Sequence, residues 1–341
     1  MINPKNPEIF LMFAYLLIFS YSSFNDFFTG YYPNSIMCFQ QRKTDHFDSI
    51  LFIHSCNFLF FYAQLSGAAL CLSDLTLSSL IEDSLFMSCM AGSSGGAISF
   101  NCPNSHFIFS KVCASNCTLA TNSAGQFCQV SVGESKRLET YFLAVEHCWK
   151  SLGTVYVHSP VYCSYGTQKH NNMNFSRNNY DHFGIWIYRP NGLTTSYSTL
   201  ANNFARSNLC YGLYYGTGTK VSMYVNVISN SNSNTVWGII HSAGHNYAFS
   251  RCIISQNSHI LFSVENEGSF VVDNSYIDHS MSSLGSCIHS TSGNQYTATA
   301  SYSISDFSLL MCEAKNQNPT IVRKERFQKI LLFSWLNYLN K

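Results

Sequence analysis

Acids, histidines and cysteines are the residues most able to do chemistry in this 341-residue chain, and their spacing decides which chemistry is open to it. Hydrolysis of a glycosidic bond needs two carboxylates about 5 to 9.5 Å apart. Elimination at a uronic acid needs a carboxylate cluster holding Ca²⁺ beside a basic residue. In a chain of stacked repeats such groups would share a phase in neighbouring repeats. Asp181, Glu265, Glu267, Asp273 and Asp278 do not, and Asp181 is answered one repeat later by Arg206. Asp181-His182 and Asp278-His279 are polar pairs that suit turns. His241-x3-His245 has the spacing of metal ligands on a helix, but Ala243-Gly244 and the surrounding strand pattern argue against a helix there. His158, His241 and His289, each followed by Ser, suit strand ends. Cys113-x3-Cys117 is the one close cysteine pair and lacks the second pair that a zinc site needs. No phosphate loop, nucleophile elbow or dinucleotide fingerprint occurs. No catalytic residue, metal or cofactor is therefore expected.

Composition points the same way. Hydrophobic residues make up 46% and aromatic residues 15%, with only 11% charged, which excludes a disordered chain. A formal charge of +1 with scattered Lys and Arg gives no footprint for nucleic acid.

The elements that must position any site come from an internal repeat. An apolar or small residue followed three positions later by Asn, Cys or His recurs as Ile53/Cys56, Phe86/Cys89, Cys113/Asn116, Val145/Cys148, Phe175/Asn178, Leu200/Asn203, Val227/Asn230, Ile254/Asn257 and Tyr276/His279, at a mean interval of about 28 residues. A second column, Gly67, Gly96, Gly125, Gly153, Gly184, Gly212, Gly238 and Gly285, follows the first. Short alternating or apolar runs come after the glycines, as in Ala97-Ile98-Ser99-Phe100, Thr154-Val155-Tyr156-Val157 and Ile185-Trp186-Ile187-Tyr188. A repeat this short, with two or three strands and no helical period, predicts an all-β parallel solenoid of about 9–10 coils rather than a propeller, whose blades need about 40 residues. Parallel stacking sets like residues about 4.8 Å apart. Asn116, Asn178, Asn203, Asn230 and Asn257 are then expected to form an amide ladder, and the glycines to supply positive φ at turns.

Ser94-Gly95-Gly96-Ala97-Ile98, its echo Ser66-Gly67-Ala68-Ala69, and Phe175-Ser176-Arg177-Asn178 resemble the GGA(I/L/V) and FxxN repeats of chlamydial polymorphic outer-membrane proteins and similar surface proteins of parasitic protists. The resemblance spans roughly residues 50 to 312. It implies a right-handed parallel β-helix displayed at a cell surface for adhesion or antigenic variation. An autotransporter of the bacterial type would continue into a membrane barrel, so the protist type is the better fit.

The flanks read differently from the repeat. Residues 9 to 25 carry no charged side chain and Lys5 lies upstream of them, the layout of a secretory leader with small residues at Ser20 and Ser22, or of an uncleaved anchor. Residues 1–26 are assigned to that leader, 27–49 to a cap or linker, 50–312 to the β-helix and 313–341 to a basic, then apolar, capping or membrane-proximal segment. The fourteen cysteines lack the spacing of a tight disulfide framework; one or two bridges at most are expected, the others filling the core. Asn116-Cys117-Thr118 and Asn174-Phe175-Ser176 are glycosylation acceptors, and Asn174 is expected to be the more accessible. Tyr156, Trp186, Tyr188, Tyr214, Tyr215 and Trp237 fall at related phases, where they would either line the core or present a row of rings to a sugar or protein. The expected function is a non-enzymatic, secreted or surface-tethered adhesin-like scaffold, with a polysaccharide-binding or polysaccharide-cleaving β-helix as the alternative. Its expected partners are a surface protein or glycan of a host or neighbouring cell, no nucleic acid, and a membrane through either terminus.

Overall fold

Period-2 burial is what turns the repeat into a folded object. In Leu70–Ser73, Ile98–Cys102 and Cys128–Val132, the residues at odd positions of each strand are buried and those between them face outward. The structure is a computed structural model. It describes residues 36–37 and 51–294, apart from 55, 74–77, 121–122, 149–158, 207–208, 234–236, 259, 279–287 and 291–292. The described residues form strands and turns with no helix, and every described strand pairing is parallel.

One long sheet runs in chain order through eleven strands, including His106–Ser115, Arg137–Glu146, Thr167–Ser176, Gly192–Ala201 and Lys220–Ile228. A second runs through eight, from Leu70–Ser73 to Phe262–Glu265. Two three-stranded sheets, one containing Met90–Ala91 and the other Phe204–Ala205, fill corners. Each turn of the chain lays one strand on each sheet beside its predecessor, which makes the molecule a parallel β-helix, or β-solenoid. The inward side chains merge into one apolar cluster along the axis. Phe58 stacks on Phe86 with centroids 4.6 Å apart, and Phe86, Phe127, Phe109, Phe107 and Phe100 continue the contact.

The asparagines form a column. Nδ2 of Asn178 donates to Oδ1 of Asn203 at 3.1 Å, Asn203 to Asn230 at 2.9 Å, and Asn230 to Asn257 at 3.1 Å. Each Oδ1 also accepts the backbone N–H of the residue one coil earlier. The second N–H of each amide goes to the carbonyl three residues before the column position of the coil below: Val145, Phe175, Leu200 and Val227. That carbonyl is the physical content of the three-residue spacing. Toward the N-terminus the same column continues as Cys148, Cys117 and Cys89, whose backbones remain in register. The Cys117 and Cys89 thiols point at the equivalent carbonyls of Phe86 and Phe58, at 3.8 and 3.6 Å.

Two expected members of this column lie elsewhere. Asn116 sits one residue before Cys117, exposed and at φ 54°, so the column pair of that coil is Ala114/Cys117 rather than Cys113/Asn116. Cys56 is in register with Ser84, in a second polar column that follows an earlier bend. In it Ser84, Ser198, Cys252 and Ser275 each donate to the carbonyl two residues back. His279 lies outside the described residues.

The bends are built mainly without glycine. Asp83, Lys111, Phe142, Asn172, Tyr197, Tyr224, Arg251 and Asn274 occupy one bend at positive φ; Phe60, Ser88, Asn116, His147, Arg177, Asn202, Ser229 and Gln256 occupy the next. The left-handed conformation costs an L-residue about 1–2 kcal/mol. Its N–H nevertheless bonds to the next coil, as from Ser88 to Ser115 O and from Arg251 to Asp273 O, so the backbone ladder continues through each corner. The glycine column expected from sequence is only partly a turn column. Gly67, Gly95 and Gly125 share register and lie at φ 60°, 61° and 82°, whereas Gly96 is one residue out of phase. Gly184 and Gly212 lie within the strands Phe183–Tyr188 and Leu209–Tyr214, and Gly238 is held close to the Phe262 backbone. Gly153 and Gly285 lie outside the described residues.

The cysteines serve the core. Among the described residues Cys56, Cys89, Cys102, Cys117, Cys128, Cys148, Cys163 and Cys252 are buried thiols, Cys71 is a half-buried one, and Cys113 is disulfide-bonded. Burial pushes the thiols of Cys163 and Cys252 up to about 12, which keeps them protonated and unreactive.

Candidate functional site

The outward columns of the eight-stranded sheet change character along the axis. One reads Cys71, Ser99, Gln129, Tyr162, Trp186, Gly212, His241, Ser263; its neighbour reads Ser73, Asn101, Ser131, Ser164, Tyr188, Tyr214, Ala243, Glu265. The first members are small and polar, the middle ones, Tyr162, Trp186, Tyr188 and Tyr214, are aromatic, and the last are His241, Ser263, Ala243 and Glu265. A bend beside these columns adds Tyr165, Arg189 and Tyr215, all at positive φ.

The rings touch as a continuous band. Trp186 lies 4.8 Å from Tyr162, 5.0 Å from Phe183, 6.3 Å from Tyr188 and 6.1 Å from Tyr214, centroid to centroid. Tyr188 meets Tyr165 and Tyr215 edge to face, and the guanidinium of Arg189 sits 5.1 Å over the Tyr188 ring. Tyr214 and Trp237 flank the imidazole of His241 at 5.2 and 4.8 Å. Gly212 makes room for this packing: a Cβ there would stand 2.6 Å from Phe183 Cδ1. Trp186, Tyr188, Tyr214 and Trp237 are half-buried and Tyr215 is 41% exposed, so these rings cover the sheet's outside and do not enter the core. Burial and the nearby Glu265 raise the Tyr214 phenol, which therefore stays protonated and able to donate.

Ser263, His241 and Glu265 lie in sequence within this band, in an order that suggests a nucleophile, a base and its orienting acid. Ser263 Oγ is 3.1 Å from His241 Nδ1, and His241 Nε2 is 3.9 Å from Glu265 Oε2. The second distance is too long for a hydrogen bond. Burial pushes His241 down to about 4, making it a weak proton acceptor at neutral pH, and Ser263 Oγ already receives the Gly238 N–H at 2.8 Å. The serine hydroxyl can accept from Gly238 and donate to His241 Nδ1 together, but an imidazole of lowered pKa with no aligned acid behind it is a poor base for activating it.

The remaining sequence candidates disperse. Asp181 is buried against Arg206, with Nε 3.6 Å from Oδ1. Asp273 pairs in register with Ser250, and no two carboxylates face each other across any described strand pair. Among the described residues no three His, Cys, Asp or Glu side chains converge on a metal-sized site. His241 is buried, and His245 lies beyond Gly244 at the end of that strand. Of the two acceptor asparagines, Asn116 is the exposed one, because it sits at a bend; Asn174 is half-buried within Thr167–Ser176. Tyr156, His158 and both terminal segments lie outside the described residues. Among those described, no helix is long and apolar enough to cross a membrane.

Tyr162, Tyr165 and Phe183 were not singled out by sequence. The coil after Cys148 carries its strand at Val161–Ser164, later than the run following Gly153 suggested, and only that register aligns Tyr162 with Trp186. No protein-family model, curated protein or solved structure matches the chain.

Proposed function

We propose that this chain is a non-enzymatic, adhesin-like β-helix scaffold, carried to the cell exterior by its apolar leader, whose aromatic band binds glycans. The observation that carries the reading is the continuity of that band. Rings from successive coils form a shallow platform along the axis, and a sugar's C–H faces pack on such a platform. Arg189 at one edge and Glu265, 47% exposed, at the other supply the few polar groups that orient a hydroxylated ligand. Holding Tyr165 and Tyr215 in the left-handed region costs conformational energy, and both side chains are thereby directed to the same side as the sheet aromatics. Buried thiols of raised pKa are compatible with an oxidising exterior, because the thiolate is the form that oxidises.

Binding of the purified full chain to an array of neutral oligosaccharides, followed by tryptophan emission during titration, tests this. Trp186→Ala should weaken binding several-fold, up to about tenfold, the scale of one aromatic contact of about 0.5–1.5 kcal/mol. An unchanged affinity in folded Trp186→Ala overturns the site, and new reducing ends during incubation overturn the non-enzymatic assignment.

A further inference from the structure

The long sheet carries a different surface. A groove of about 490 Å³ on its outer side is lined by Lys111, Arg137, Glu139, Tyr141, Phe142 and Lys169, contributed by three successive coils. Its one carboxylate is already engaged twice: Arg137 Nη1 lies 3.7 Å from Glu139 Oε1, and the Tyr141 hydroxyl donates to Oε2 at 3.1 Å. Lys111 and Lys169 are exposed and make no ion pair among the described residues. The Lys169 ammonium lies 5.3 Å from the centroid of the Tyr141 ring, which holds it across the groove. Phe142 stands at the rim at φ 57° and 37% exposed. His106, whose Nδ1 accepts the Arg137 N–H at 2.9 Å, feels the same field: burial, then Arg137 and Lys136, lower its pKa.

We infer that this groove binds an acidic polysaccharide, carboxylated or sulfated, laid obliquely across three successive coils. With strands about 4.8 Å apart, Lys111 and Lys169 stand two steps, about 10 Å, from each other along the axis, and because Lys111 falls opposite Phe142 while Lys169 pairs with Glu139, three residues earlier, they are offset by about 10 Å along the strands as well. That separation suits anionic groups repeating along an extended sugar chain, with the Phe142 ring, beside Lys111 on the middle coil, available to a pyranose face. A nucleic acid fits less well, since the Tyr141 face is covered by Lys169 and two unpaired cations neutralise few phosphates. The groove lies on a different sheet from the aromatic band, and the two sites are independent.

The test uses the full chain with a heparin-derived oligosaccharide, an oligogalacturonide and a neutral oligosaccharide. Both polyanions should bind, and more weakly as salt rises. K111Q/K169Q should lose about tenfold or more in affinity for them while K111R/K169R retains it. Bound polyanion should also protect Lys111 and Lys169 from acetylation in the unaltered protein, read by mass spectrometry, so the result does not depend on how a variant folds. Unprotected lysines, undiminished binding by folded K111Q/K169Q, or equal competition by an oligonucleotide of the same charge would overturn the proposal. Neutral-sugar binding and its loss in Trp186→Ala report the aromatic band separately, so the failure of one site leaves the other standing.

Discussion

Asn203 and Asn230 are the best-connected residues of the polar column, each with its Oδ1, N–H and Nδ2 all engaged, and Asn203 serves as the example. Its Oδ1 accepts both the N–H and the side-chain amide of Asn178, and its Nδ2 serves the Phe175 carbonyl and Asn230 Oδ1. Asn203→Leu leaves several of these buried groups unsatisfied, and each costs about 1–3 kcal/mol. Chemical denaturation should therefore show a loss of at least about 3 kcal/mol. Cysteines hold the same position in earlier coils and donate to the same carbonyl, so Asn203→Cys keeps one contact and should cost less than Leu. Equal losses in the two variants would show that thiol and amide are not equivalent there. This column was legible at Asn178, Asn203, Asn230 and Asn257, because apolar-x-x-Asn spacing repeats cleanly. It was misread at Asn116, where Asn116 and Cys117 are adjacent and both residue types suit the column; burial alone distinguishes them.

At the scale of elements, the corners decide how the strands stack. Gly95 lies at φ 61°, and a Cβ there would meet the Ile98 carbonyl oxygen at 2.0 Å, whereas a Cβ on Gly192 would have its nearest neighbour at 3.8 Å. Gly95→Ala should cost more than about 2 kcal/mol, from the left-handed penalty plus the displaced carbonyl. Gly192→Ala should stay within about 0.5 kcal/mol of the parent. Thermal or urea midpoints of the two variants check this, and similar shifts in both would mean that the corner does not need glycine. Glycine spacing marked the Gly67, Gly95 and Gly125 corner in part, since Gly95-Gly96 offered two phases. The other bends were hidden, because Lys111, Phe142, Tyr197 and Tyr224 are residues that seldom adopt positive φ, and only a corner held by hydrogen bonds from coil to coil makes them do so.

For the whole molecule, buried histidines set the response to acid. His170 stands inside the coil, with Nδ1 3.1 Å from Thr140 Oγ1 and Nε2 3.2 Å from Gln168 Oε1. Gln168 Nε2 donates to the Tyr165 carbonyl, so its Oε1 accepts from Nε2–H, and Nδ1 accepts the threonine hydroxyl. Burial lowers His170 to about 4, and burial likewise lowers His241 to about 4, from an ordinary 6.5. Between pH 6.5 and 4 the unfolded chain therefore binds more protons than the folded one, and stability rises with pH. The contribution is fully present above pH 6.5 and is lost as pH falls toward 4, on the order of 3 kcal/mol for each histidine. Urea unfolding at pH 7 and pH 4.5 should show this loss, and His170→Gln should remove about half of the histidine share. A pH slope unchanged in that variant would mean that His170 is not the group being protonated.

Residue order alone determined the period, the parallel stacking, the apolar-x-x-Asn column and the all-β class, because each depends on side chains recurring at fixed chain distances. Tertiary structure decided what depends on register between coils. Thr140, His170, Thr195 and Ser222 look like surface residues in sequence, yet register stacks them inside, where Thr195, Tyr211, Tyr247 and Ser222 share hydrogen bonds. The aromatic band and the cationic groove have the same origin. Their members come from successive coils, from Tyr162 to Trp237 and from Lys111 to Lys169, and a one-residue slip in any coil would turn its residues to the other face of the sheet.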